Sequence, residues 1–103
     1  MLRDTSDAPL LVYRFDPREL RTDRHFAVVV DTCPLTSDAE LGVDATMPVH
    51  RHGMNYKPKV VREAANRWRA EGLLLHMPGQ WEFRFEIRDG GRTQRVADSI
   101  EVE

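Results

Sequence analysis

Residues 47–54, "MPVHRHGM", place Met47, His50, His52 and Met54 within eight positions. A further pair, His76-Met77, stands in "LLLHMPGQWEF". Two short segments therefore hold three of the four histidines and three of the four methionines of the chain. Thioether sulfur is soft and neutral and imidazole nitrogen is borderline, a donor set that suits copper, above all Cu(I), better than Mg, Ca or Mn. Zinc sites draw instead on Cys, His and carboxylate. In extended chain, alternate residues share a face, so His50, His52 and Met54 could project together. His76 and Met77 lie at the end of another apolar run, just before Pro78-Gly79. The competing reading is structural: histidines near a turn can be hydrogen-bonded packing residues, and methionine is a common core filler. Met47 continues the apolar phase of its own segment, which favours core over ligand.

Other chemistries find less support. The single cysteine, Cys33, excludes an internal disulfide and any multi-cysteine zinc site. It precedes Met47 by 14 residues with no adjacent His or Met, which argues against a blue-copper centre. Standing before Pro34, it reads as a small buried or half-buried residue rather than a nucleophile. No histidine stands near Met1, so an N-terminal Cu(II) site is not available in this chain as it begins. His25, beside Phe26, reads as a surface histidine. There is no Ser-His-Asp or Cys-His pattern with local support and no phosphate-cradling glycine loop, so no catalytic residue is assigned and the chain does not read as an enzyme. Asp44 is near enough in sequence to the histidines to orient one of them as a hydrogen-bond acceptor.

The elements that must position these residues follow a period of two. In "QWEFRFEIRDGGRTQRV", Trp81, Phe83, Phe85 and Ile87 alternate with Glu82, Arg84, Glu86 and Arg88, the mark of a strand with one buried and one wet face. Asp89-Gly90-Gly91 suits a tight hairpin, after which Arg92 to Val102 buries Val96, Ile100 and Val102. "PLLVYRF" and "RHFAVVVDT" read as strands, the second apolar on both phases and therefore central. "AELGVDATMPV" alternates Leu41, Val43, Ala45 and Met47 up to a break at Pro48. "KPKVVRE" suits a short edge strand. "VVREAANRWRAEG" could pass for a helix of about three turns ended by Gly72, but Trp68, Ala70, Gly72 and Leu74 also alternate, and strand is preferred. Six or seven short strands in about 100 residues predict an all-β antiparallel sandwich. It forms one domain over 1–103, with 1–8 a flexible N-terminal extension. A sandwich brings strand ends together at its poles, so the two His/Met segments could converge.

Composition narrows the partners. Hydrophobic residues make up 41% and charged residues 31% of 103, ordinary for a globular domain. The longest apolar run, Phe26 to Val30, falls far short of the roughly 20 residues of a membrane span. Fifteen basic against seventeen acidic residues, with no basic stripe, give no sign of nucleic-acid binding. "MLRDTSDAPLL" has no basic start followed by a continuous apolar stretch, so no leader is visible.

"DATMPVHRHGMNYKP" followed by "LLLHMPGQWEFRFEI" resembles the YtkA-like family, related to FixH-type domains, over roughly residues 20 to 102. The shared signature is a MP-x-H-x-HGM loop and a MPG-x-W strand. It falls here on Met47, Pro48, His50, His52, Gly53, Met54, Met77, Pro78, Gly79 and Trp81, with His76 just before the second motif. The resemblance implies an immunoglobulin-like sandwich exported to the periplasm or cell surface. It also implies copper handling as a metallochaperone or accessory domain, with a membrane-bound respiratory oxidase or haem protein as partner. His50 and His52 would then be principal ligands, Met54 and Met77 soft ligands and His76 an auxiliary, with Pro48, Gly53, Pro78, Gly79 and Trp81 supporting the site. The alternative is a metal-free interaction module docking the same kind of partner.

Overall fold

The computed structural model describes residues 2–3, 9–49, 52–54 and 57–103, and for Leu2, Arg3, Pro9 and His52 the backbone alone. In chain order the strands are β1 (Leu2–Arg3), β2 (Pro9–Asp16), β3 (Phe26–Thr32), β4 (Glu40–Met47), β5 (His52–Gly53), β6 (Lys59–Ala64), β7 (Arg67–Leu73), β8 (Gly79–Asp89) and β9 (Arg92–Val102). They form two antiparallel sheets, ordered β1-β2-β3-β7-β6 and β5-β4-β8-β9. If β1 and β5, two residues each, are set aside, the seven longer strands pair as the four-plus-three sheets of a constant-type immunoglobulin sandwich. Among the described residues there is no helix, and so none long and apolar enough to cross a membrane.

Binary patterning explains most of this. On β8, Trp81, Phe83, Phe85 and Ile87 are each at most 1% exposed, while the intervening residues reach solvent. β4 alternates in step with it, burying Leu41, Val43, Ala45 and Met47. The two strands register as Val43↔Phe85 and Ala45↔Phe83, so their apolar phases share one face. β3 is buried on both phases from Phe26 to Val30 and does occupy the centre of the first sheet. Its outer Val29 lies in register between Arg14 and Arg69, long side chains whose stems cover apolar neighbours.

The segment that could pass for a helix is a β6–β7 hairpin. Its turn is held by Arg62, which donates to the Ala65 carbonyl through Nε at 3.1 Å and Nη2 at 2.6 Å and stacks over Trp68 at 4.7 Å. The strand reading holds, but its phase needs correction. Val28 pairs with Ala70 and Phe26 with Leu73, so Glu71 and Gly72 together oppose Ala27. This is a bulge, and Gly72 adopts φ +81° there. Beyond it, Leu73 and Leu75 turn inward while Gly72 is exposed and Leu74 only half-buried.

Two further expectations change. Cys33 is exposed rather than buried, because it stands just past the end of β3, where its N–H donates to the Leu10 carbonyl at 3.4 Å. On β9, Val102 is buried, but Val96 and Ile100 are only half-buried against the core. Asp98 shares their inward phase and accepts a 2.6 Å hydrogen bond from Tyr13 Oη of β2, joining the two sheets across the sandwich. Burial first, then that hydrogen bond and the nearby carboxylate charge, hold the Tyr13 hydroxyl well above its ordinary pKa.

Candidate metal centre

The pole where β4 ends and β8 begins gathers three stretches of chain. β4 and β5 pair antiparallel through Met47↔His52 and Thr46↔Gly53. Pro48, Val49 and Gly53 are exposed, Val49 at 77%. His50 lies outside the described residues, and His52 is described as the backbone register partner of Met47. Met54, just beyond β5, is half-buried against the core.

The second stretch is the corner from β7 into β8. Leu73 and Leu75 are fully buried, and His76 and Met77 are half-buried. The indole N–H of Trp81 donates to the Met77 carbonyl at 3.0 Å, fastening the corner to the strand that follows it. The His76 ring stands edge-on to Trp81, centroids 5.7 Å apart at 81°. In immunoglobulin-type sandwiches a tyrosine near the start of the sixth strand bonds back to corner backbone in the same manner. Trp81, near the start of the sixth long strand, does this through nitrogen. Pro78 is exposed at the bend.

Met47 and Gly79 join the two corners. A Cβ on Gly79 would lie 2.7 Å from Met47 Cε, and Gly79 has φ +133°, a conformation open to glycine alone among common residues. The glycine of the MPG stretch thus makes room for the methionine that ends β4. Met47 itself is 1% exposed and belongs to the core, so it forms a wall of the pole.

The third stretch, residues 17–25 between β2 and β3, was not singled out by the sequence reading. Asp23 adopts φ +59° and its N–H donates to the Leu75 carbonyl at 2.8 Å, so this loop leans on the His76-bearing corner. The left-handed conformation, more accessible to Asp than to most residues, was the only local signal available. His25, at the end of this loop, is exposed as expected. Asp44 was considered as an orienting acceptor for histidines whose side chains lie outside the described residues. It lies on the outward phase of β4, opposite to Met47, and its Oδ1 accepts the Ala45 N–H at 2.8 Å.

Chemically, the described part of this pole offers two half-buried thioethers, Met54 and Met77, and one half-buried imidazole, His76. Among the described residues no three His, Cys, Asp or Glu side chains are gathered as a metal site would need. A centre here therefore depends on thioether sulfur together with His50 and His52. No family model, curated protein or solved structure matches the chain.

Proposed function

We propose that this chain is an exported copper-binding accessory domain of the YtkA-like kind, which holds Cu(I) or delivers it to a membrane-bound oxidase or haem-protein partner. His50 and His52 serve as principal ligands, Met54 and Met77 as soft ligands, and His76 as an auxiliary. The supporting observation is the approach of Met47 to Gly79, which sets the two His/Met corners beside one another at one end of the second sheet. The donor set fits the ion: neutral thioethers and imidazoles favour Cu(I) over harder cations. Trp81 beneath the corner limits water at the site and holds the backbone on which Met77 stands. The role is carriage, with no bond made or broken in a substrate.

Purified, tag-free protein titrated with Cu(I) against a chromogenic chelator tests this reading. Near-stoichiometric retention is expected, with a large loss in the His50→Ala/His52→Ala double variant. Equal copper retention by wild type and double variant would overturn it.

A second reading is favoured by the Trp81–Met77 hydrogen bond, which is itself a structural tie. On that reading the His/Met corners are rigid supports of a metal-free interaction module. His50→Ala then lowers the melting temperature of the apo-protein and leaves any metal response unchanged.

A further inference from the structure

The outer face of the second sheet carries a second, unrelated feature. Its outward positions run in register as Gly42↔Glu86↔Arg95 and Asp44↔Arg84↔Ala97 across β4, β8 and β9. Among these six positions the other four are charged, and the two small residues stand at diagonal corners. Around them lies a trough of about 830 Å³, walled on the β4 side by Lys57 and Pro58. Volumes of about 300–1,000 Å³ are those of small-molecule sites.

Gly42 is the informative residue. It lies in the interior of a strand, where glycine weakens the structure, and its backbone is not in the left-handed region. A Cβ there would meet only Glu86 Cβ at 3.8 Å and the Glu86 carbonyl oxygen at 4.0 Å, ordinary contacts. Neither conformation nor packing requires the missing side chain. With the β4–β8 register regular at Gly42, no bulge explains it, and such a strand glycine is found where a ligand or another stretch of backbone approaches closely. The charges facing the trough indicate the ligand's sign. Lys57, Arg84 and Arg95 stand against Asp44 and Glu86. Glu86 is already engaged by Arg95 at 2.9 Å and Arg88 at 3.3 Å, and Asp44 Oδ1 by a backbone N–H. Lys57 has no ion pair among the described residues.

We infer that this trough binds a small amphipathic anion, its apolar body over Gly42 and Ala97 and its carboxylate or sulfonate at Lys57. The site is separate from the copper pole and does not depend on it.

Titration with anilinonaphthalene sulfonate, an apolar ring system bearing one anion, tests this by fluorescence. Wild type should bind saturably. Gly42→Leu and Ala97→Leu fill the trough from β4 and β9 and should each weaken binding about tenfold or more, since the apolar body loses its seat. Lys57→Glu should weaken the sulfonate but not the uncharged analogue phenylnaphthylamine. Melting curves identify the variants that fold, and either trough-filling variant suffices. Wild-type affinity in a folded trough-filled variant, or an unchanged sulfonate affinity in Lys57→Glu, overturns the inference.

Discussion

The two His/Met corners are built from the same residue types and embedded in opposite ways. The corner of residues 76–81 is tied down: Trp81 is fully buried, its indole bonds the Met77 carbonyl, His76 stands on the indole edge, and Asp23 bonds Leu75 from the neighbouring loop. The corner of residues 47–54 leaves the sheet through exposed Pro48 and Val49 and returns by a two-residue strand with exposed Gly53. Met47 stands between them, buried and against Gly79. One corner is thus scaffold carrying a few donor atoms, and the other is donor atoms carried on a minimal scaffold. On the proposed copper-binding reading, motif residues divide into those whose loss costs stability and those whose loss costs binding.

The largest effect should come from the tied corner. Trp81→Ala removes a fully buried indole and the corner bond, and is expected to destabilise the domain by about 3–5 kcal/mol, measured by denaturant unfolding. A loss below about 1 kcal/mol would mean that the corner is not scaffold. Gly79→Ala forces an alanine to φ +133° against Met47 and should cost about 1–3 kcal/mol. Because Cε is the flexible end of Met47, most of that loss is backbone strain, and Met47→Ala in the same background should restore little of it.

Away from both corners, Tyr13→Phe calibrates the scale. It strips the half-buried Asp98 of its donor and should cost about 1 kcal/mol at neutral pH. The raised Tyr13 pKa has a defined sign. Below the unfolded value of about 10 both states keep the proton, and its stabilising contribution is whole. Above that pH the unfolded chain loses the proton first, and stability falls as pH rises towards the folded value. Tyr13→Phe should flatten this alkaline limb in melting curves. A limb of unchanged slope would show that another group causes it. Smallest in stability, on the copper-binding reading, is the histidine double variant: His50→Ala/His52→Ala should change apo-protein unfolding by no more than about 0.5 kcal/mol. A larger loss would erase the contrast between the corners and favour the structural-support reading.

What the sequence disclosed follows the same division between local and distant causes. The β8–β9 hairpin was readable because its period and its Asp89-Gly90-Gly91 turn are local, and Gly90 and Gly91 do take positive φ. The phase of β7 was not, because its bulge is set by pairing with β3, more than 40 residues away in the chain. Asp98 was passed over for a similar reason: its partner Tyr13 is 85 residues distant. Cys33 was misread because residue type suggested burial where the end of β3 leaves it in solvent. At the candidate site, motif spacing nominated the residues, and strand-end geometry suggested that they share a pole. The Met47–Gly79 contact and the Asp23 brace needed coordinates.

In the proposed function, Cu(I) sits in a mixed sulfur and nitrogen shell drawn from both corners. X-ray absorption at the copper edge of the Cu(I)-loaded protein tests it most directly. Sulfur and nitrogen scatterers are expected together, with sulfur diminished in Met77→Leu and nitrogen diminished in His52→Ala. A shell of nitrogen and oxygen alone, or one untouched by substitution in either corner, would contradict it.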